Sequence, residues 1–156
     1  MIPLCALFCV LLLSGCGVKI VGMPSWESGG NASAARVVKT AQSQIGTRYR
    51  SGGTTPSGFD CSGLIWWAYR QNGVNVPRMT ADQARAGFGV NRRSMRAGDI
   101  LVFNTRQGRT GLHTGLYTGN GRFVHSPSSG KRVRQDSLSQ EYWDRRLVKI
   151  RRILRK

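Results

Sequence analysis

The spacing of apolar residues changes near residue 98, and this change restricts the fold more than any other feature of the chain. Upstream, over 33–45 and 61–72, apolar residues recur every three or four positions, as in amphipathic helices. Downstream, an apolar run over 100–103 and further short runs bounded by turn residues indicate strands. Because helices come first and strands follow, we expect an α+β fold with N-terminal helices packed on a central antiparallel β-sheet.

Three helices are predicted in the first half of the chain. The first covers 33–45 and ends at Gly46, and the second covers 61–72. A capping-box spacing from Thr80 to Gln83 indicates the start of a short third helix that Gly87 stops. The Gly- and Pro-containing stretch 49–59 is predicted to be a loop.

Five strands are predicted in the second half of the chain. They cover 100–103, 112–118, 122–126, 131–135 and 147–153. The second and third of these flank Gly119-Asn120-Gly121, a sequence that favours a β-hairpin. The last two are strongly basic and give a weaker strand signal. We find no internal repeat.

The first sixteen residues resemble a bacterial lipoprotein signal. Residues 2–13 are almost wholly apolar but too few to span a bilayer, which takes about 20 helical residues. Leu13-Ser14-Gly15-Cys16 follows and resembles a lipobox, so we expect residues 1–15 to be removed and Cys16 to be lipidated. The leader lacks the usual Lys or Arg before its apolar run, and the alternative is a buried N-terminal helix.

On this interpretation the chain has three parts. A signal peptide covers 1–15, a lipidated N-terminus and flexible tether cover 16–32, and a folded domain covers 33–156. We therefore expect a protein of the bacterial cell envelope, attached to a membrane through Cys16. In a cell with two membranes, Gly17 after the cysteine resembles the pattern of lipoproteins held in the outer membrane, facing the periplasm.

Cys61 is the one thiol that the processed domain would keep, because the leader carries two cysteines away and Cys16 takes the lipid. It cannot form an intramolecular disulfide, so burial or use as a nucleophile would explain it. Its predicted position at a helix N-terminus favours the thiolate. The alternative is a small core residue, but the polar neighbours Asp60 and Ser62 favour a surface edge.

The chain has two histidines, His113 and His125, which are the candidates for a base and for the group that orients it. They share one face of adjacent strands if the hairpin loop has an odd number of residues, as with 119–121 or 118–120. An even loop separates them, but the glycines suit an odd one. Two unrelated histidines are the alternative. One Cys and two His form no dense ligand cluster, so we expect no metal or other cofactor.

A series of short motifs occurs between residues 34 and 154. The motifs are Tyr49-Arg50-Ser51-Gly52-Gly53, Phe59-Asp60-Cys61-Ser62-Gly63, Pro77-Arg78, Ala97-Gly98-Asp99-Ile100-Leu101, His113-Thr114-Gly115-Leu116-Tyr117-Thr118-Gly119 and Phe123-Val124-His125. In content and order they resemble the motifs of the NlpC-type cell-wall cysteine peptidases, and in particular of the small lipoprotein endopeptidases of that family. Two departures are Thr114, where a branched aliphatic is usual, and Ala97, where Pro is common.

The resemblance implies a papain-like α+β fold and hydrolysis of amide bonds in peptidoglycan stem peptides or cross-links. It implies that Cys61 is the nucleophile, that His113 is the base and that His125 orients His113. It implies that the Tyr49 hydroxyl and the Cys61 backbone N–H stabilise the oxyanion. The positions that it matches to substrate contacts are Asp60, Ser62 and Arg78.

The charge of the chain is strongly positive, with 24 Lys and Arg against 7 Asp and Glu, a formal net charge of +17. Such an excess indicates an anionic partner, and we expect anionic envelope material beside a peptidoglycan substrate. Two alternatives remain: a non-catalytic wall-binding lipoprotein of the same fold, and a nucleic-acid-binding protein. We expect no nucleic acid, because no recognised binding motif accompanies the charge. We expect a monomer.

Overall fold

A computed structural model of the protein describes residues 33–106, 108–128 and 130–155. The predicted signal peptide, Cys16 and the tether lie outside the described residues. The described part packs helices on an antiparallel sheet, so the predicted α+β class is confirmed. None of the helices found in these ranges combines the length and the apolar character needed to cross a bilayer.

In the described residues three short helices precede one six-stranded sheet along the chain, and a fourth comes before the last strand of that sheet. The helices are α1 (Ala34–Gln42), α2 (Cys61–Arg70), α3 (Thr80–Gln83) and α4 (Glu141–Asp144). The strands are β1 (Thr54–Thr55), β2 (Gly58–Phe59), β3 (Phe88–Gly89), β4 (Ile100–Asn104), β5 (Leu112–Gly119), β6 (Arg122–His125), β7 (Arg134–Ser137) and β8 (Leu147–Arg152). The sheet has the order β3-β8-β4-β5-β6-β7 with every pair antiparallel, while β1 and β2 form a separate hairpin inside the predicted loop.

Helix α1 begins where the sequence predicts and ends three residues early. Ser33 caps it by accepting a hydrogen bond from the N–H of Arg36 at 3.3 Å. The predicted end at Ile45 is wrong because the chain has already turned away from the helix. Gly46, at φ 95°, donates its N–H to the carbonyl of Val133 at 2.9 Å and so joins this turn to the sheet region.

Helix α2 begins at Cys61, as predicted, because Asp60 caps it. The Asp60 carboxylate accepts the N–H of Gly63 at 2.7 Å. The helix ends at Arg70, two residues before the predicted end, and Gly73 follows in the left-handed region at φ 75°. Cys61 therefore lies at a helix N-terminus.

Helix α3 begins where the sequence predicts but ends at Gln83, short of the predicted stop at Gly87, and the predicted capping box is wrong. Its N-cap is Met79, which makes no side-chain capping bond. The Gln83 amide instead donates to the carbonyls of Ser62 and Pro77, each at 2.9 Å. These bonds attach α3 to the start of α2.

The strand signal over 131–135 is displaced, because β7 begins at Arg134. Residues before it pair with the segment that precedes the β1–β2 hairpin instead of with β6. Tyr49 donates its N–H to the Lys131 carbonyl at 2.8 Å, and Val133 donates to the Thr47 carbonyl at 2.8 Å. The same pairing brings Tyr49 beside the sheet.

The sheet is covered on both faces, which explains the continuous apolar run in β4. Ile100 packs with Leu64 and other residues of α1 and α2 in one buried cluster. Leu101 and Phe103 pack with Trp143 in a second cluster on the opposite face. The sheet is therefore the rigid element on which α2 and α4 are placed.

Candidate active site

An open cleft of about 500 Å³ is lined by residues of α2, β5 and α4. The cleft is lined by three of the candidate site residues, which are Tyr49, Cys61 and His113. Its lining includes the basic residues Lys131 and Arg134, and no acidic side chain among the described residues. The cleft can therefore place a peptide carbonyl beside a thiol and an imidazole.

Cys61 is the first residue of α2 and is partly exposed. The first N–H groups of a helix have no partner within it, and together with the helix dipole they stabilise a nearby negative charge. The Cys61 Sγ lies 3.6 Å from the Thr80 Oγ1 of α3. The sulfur is thus held between two helices while it remains accessible from the cleft.

Two histidines and an aspartate form a hydrogen-bonded row across three neighbouring strands. His113 Nε2 of β5 lies 2.8 Å from His125 Nδ1 of β6, and His125 Nε2 lies 3.0 Å from Asp136 Oδ2 of β7. The His113 and His125 residues are 6% and 0% exposed. The row runs from the cleft to a buried carboxylate.

The histidines share a face, although the predicted odd loop over 119–121 is wrong. The tip has two residues, Asn120 and Gly121, both with positive φ, as in the turn that favours Asn-Gly. A register shift between Tyr117 and Gly119 adds one unpaired residue to β5. With this extra residue, the two-residue loop leaves the histidines on the same face, as a loop with an odd number of residues would. This bulge places both rings on one side of the sheet.

Burial governs the protonation of the two rings. Burial, followed by the neighbouring His125, lowers the pKa of His113, and Asp136 partly opposes this shift. Burial also lowers the pKa of His125, again against Asp136. For Asp136 burial raises the pKa, but the hydrogen bonds from His125 and Arg134 outweigh burial and hold it below its usual value. At neutral pH the row is therefore two neutral imidazoles ending on a carboxylate.

We expect acid to destabilise the fold through these histidines. The folded pKa of each lies below the unfolded value of 6.5, so below about pH 6.5 the unfolded chain binds protons that the folded chain rejects. The free energy of unfolding should fall by up to roughly 1.4 kcal/mol per pH unit for each ring. Urea titrations from about pH 7.5 to pH 4.5 measure this slope, which should be shallower in His125→Gln. Equal slopes in both proteins would contradict it.

Tyr49 lines the cleft near Cys61 and keeps its proton at neutral pH. Burial, followed by the charges of Cys61 and Asp60, raises its pKa. Its hydroxyl can therefore donate a hydrogen bond to a developing oxyanion, which is the role that the family resemblance implies for it.

Asp60, Ser62 and Arg78, the candidate substrate contacts, form a cluster at the start of α2. Arg78 donates to Asp60 Oδ2 at 2.6 Å and to Ser62 Oγ at 2.9 Å, and Asp60 also accepts the N–H of Gly52 at 3.0 Å. None of the three lines the cleft as described. In this structure they support the helix that carries Cys61.

Two residues of the site were not found from the sequence, Asp136 and Trp143. The Trp143 ring stacks on His113 with centroids 5.6 Å apart, and its indole N–H donates to Asp136 Oδ2 at 3.0 Å. Asp136 lies one residue past the predicted end of its strand, and Trp143 lies in α4, a helix too short to give a periodic signal. In the described ranges no group of three or more His, Cys, Asp or Glu residues could hold a metal ion.

The part of the chain that forms the cleft also matches a protein-family model. The model of the NlpC/P60 family aligns with residues 46–152, which include Tyr49, Cys61 and both histidines. The chain belongs to the NlpC/P60 family. NlpC/P60 relatives are peptidoglycan endopeptidases of a cysteine peptidase family.

Several curated NlpC/P60 relatives are similar to the chain. Murein DD-endopeptidase MepS/murein LD-carboxypeptidase of Escherichia coli (strain K12) is 43% identical over 111 residues, 70% of this chain and 57% of that protein. The gamma-D-glutamyl-L-lysine dipeptidyl-peptidase of Bacillus subtilis (strain 168) is 37% identical over 121 residues, 77% of this chain and 41% of that protein. The chain thus spans about half the length of these relatives. The probable endopeptidase NlpC of Escherichia coli (strain K12) is 35% identical over 149 residues, 94% of this chain and 96% of that protein.

Solved structures confirm the papain-like NlpC/P60 fold. An NlpC/P60 family protein from Bacillus cereus superposes with a TM-score of 0.75 at 28% identity, over 85% of this chain and 44% of that one. The peptidoglycan hydrolase RipB from Mycobacterium tuberculosis superposes with a TM-score of 0.69 at 27% identity, over 87% of this chain and 74% of that one.

Proposed function

We propose that this NlpC/P60 protein is a cysteine endopeptidase that hydrolyses amide bonds in peptidoglycan stem peptides or cross-links. The observation that carries the proposal is that Cys61 and His113 line one open cleft. Cys61 lies at a helix N-terminus, and His113 Nε2 is hydrogen-bonded to His125. Relatives named murein endopeptidases support the substrate class. The accessible thiol disfavours a non-catalytic wall-binding module.

The proposed reaction has two steps. His113 takes the proton from the Cys61 thiol, and the thiolate sulfur attacks the scissile carbonyl carbon. The Cys61 N–H and the Tyr49 hydroxyl stabilise the oxyanion, and the amine leaves with the proton from His113. Water, with His113 again as the base, then hydrolyses the thioester and frees the sulfur.

Tyr49→Phe is expected to slow hydrolysis by roughly 10- to 10³-fold without abolishing it, because one oxyanion donor is lost and the Cys61 N–H remains. The rate of soluble muropeptide release from sacculi measures the loss. Tyr142→Phe is the matched control, since Tyr142 lines the same cleft and is not assigned a role in the chemistry. Equal rates for both variants would show that the Tyr49 hydroxyl does not stabilise the oxyanion.

Asp60, Ser62 and Arg78 are proposed to contact the peptide on the α2 side of Cys61. Two of them flank the nucleophile in sequence, and the Arg78 side chain is 26% exposed. A substrate amine could replace Arg78 as a partner of Asp60, and a substrate carboxylate could replace Asp60 as a partner of Arg78.

Two classes of peptide bond are candidates for the bond that is cut: a bond in a cross-link and a gamma-D-glutamyl bond within a stem. The relatives include a murein DD-endopeptidase and a gamma-D-glutamyl-L-lysine dipeptidyl-peptidase. Mass spectrometry of products from a defined cross-linked dimer and from an uncross-linked stem peptide separates them. Conversion of the dimer alone to monomers indicates the cross-link, whereas a shortened stem indicates the glutamyl bond. Intact substrates in both reactions would refute the proposed function.

We also propose attachment to the cell envelope through a lipid on Cys16, at the outer membrane where the cell has one, beside anionic material. Each of the six acidic residues in the described ranges forms an ion pair with an arginine. The described ranges hold many more basic than acidic side chains, so their net charge stays strongly positive, which favours an anionic surface. Fatty-acid labelling of wild type but not of Cys16→Ala would support the anchor, and labelling of both would oppose it.

A further inference from the structure

We propose that Asp136 is a positioning residue that determines which ring nitrogens of His125 and His113 carry protons, so that His113 keeps one bare nitrogen for the Cys61 proton. This inference rests on the proposed function and adds a fourth residue, on β7, to its machinery. It is carried by the hydrogen-bonded row across β5, β6 and β7.

Asp136 can act only as an acceptor in its surroundings. Its Oδ2 faces the Trp143 indole N–H at 3.0 Å and the Arg134 Nε and Nη2 at 3.1 and 2.8 Å. Indole and guanidinium groups have donors and no acceptors, so these contacts select the carboxylate. The Asp136 side chain is 9% exposed, which protects its charge from competition by water.

The carboxylate in turn selects one form of His125. Because Asp136 Oδ2 accepts, the His125 Nε2 that lies 3.0 Å away must carry a proton. A neutral ring carries one proton, so His125 Nδ1 is left bare. The Lys131 and Arg134 charges act on this ring as well, and both disfavour a second proton.

The bare His125 nitrogen then selects the form of His113. His113 Nε2 lies 2.8 Å from His125 Nδ1 and must be the donor of that pair. His113 Nδ1 is therefore unprotonated and available as a base. When it takes the Cys61 proton, the Nε2–H bond to His125 is kept, and the new imidazolium gains the attraction of the Asp136 charge through His125.

Loss of the Asp136 acceptor removes this selection. Asparagine would not remove it, because the Trp143 and Arg134 donors would hold its amide oxygen where Oδ2 lies, and His125 Nε2 would still donate to that oxygen. Alanine leaves His125 Nε2 without this acceptor. The His125 proton can then occupy Nδ1, with His113 Nε2 accepting it and the His113 proton at Nδ1, which blocks the base nitrogen.

Nitrogen NMR of the histidine rings tests the inference with no substrate present. In wild type we expect both rings to be neutral and protonated at Nε2, and in Asp136→Ala we expect a measurable fraction of both rings to carry the proton at Nδ1. Protons at Nδ1 in wild type, or no change in the variant, would overturn the inference. The wild-type spectrum alone is decisive if the variant does not fold.

Kinetics give a second readout. Asp136→Ala should lower kcat by roughly 10- to 10³-fold with little change in KM, because neither ring is held in the productive form while the cleft stays intact. Asp144→Ala, which removes an exposed partner of Arg92, is the matched control and should retain wild-type kcat. An unchanged kcat in Asp136→Ala would overturn the inference, whereas an inactive wild type with the expected ring protons would refute the proposed function alone.

Discussion

Cys61→Ala is expected to lower the release of muropeptides from purified sacculi by more than about 10⁴-fold, to the level without enzyme. Alanine removes the sulfur that is proposed to form the thioester, and no other thiol in the described residues could replace it. The loss should not reflect unfolding, because the Asp60 cap that starts α2 does not involve the Cys61 side chain.

The matched control for this variant is Ser94→Ala, which also removes one heteroatom but from an exposed turn away from the cleft. Both variants should retain the wild-type far-ultraviolet circular dichroism and Tm. Only Cys61→Ala should be inactive. Wild-type release by Cys61→Ala would eliminate the thiol as the nucleophile.

Gly63→Ala is expected to destabilise the fold by about 3 kcal/mol and to reduce activity with it. A Cβ on Gly63 would lie 2.0 Å from the Gly53 carbonyl oxygen and 2.9 Å from the capping Asp60 Oδ1. The first of these atoms is backbone, so α2 or the Gly53 loop must move. Movement of α2 would displace Cys61, and movement of the loop would break the hydrogen bond from the Asp60 N–H to the Gly53 carbonyl at 3.2 Å.

The midpoint of urea unfolding measures this loss, with Gly89→Ala as the control. A Cβ on Gly89 would meet only the end of the flexible Arg151 side chain, at 3.4 Å. The control should therefore unfold near the wild-type midpoint. If Gly63→Ala unfolded at the same midpoint, close packing of α2 on the Gly53 loop would not be needed.

The start of α2 could be predicted because its signals are local. Asp60 is a good N-cap, and the apolar stripe after Cys61 has the helical period, so Cys61 is placed by residues within one turn of it. The buried strand β4 was equally clear, because a sheet covered on both faces needs an unbroken apolar run.

The remainder of the site depends on contacts between distant segments. The histidines face each other through a bulge near Tyr117, and nothing in the residue types there distinguishes a bulge from a longer loop. Asp136 was missed because residues 131–133 pair with 47–49. The strand β7 therefore begins later than predicted, at Arg134, and extends far enough to include Asp136. Such pairings are set by the folded sheet and leave no local signal.

The central claim is that Cys61 cuts peptide bonds of peptidoglycan. Mass spectrometry of the soluble fraction from sacculi incubated with wild type and with Cys61→Ala tests it most directly. The account predicts fragments with a hydrolysed stem or cross-link amide from wild type and none from the variant. Fragments from glycan cleavage alone, or the same peptide fragments from both proteins, would contradict it.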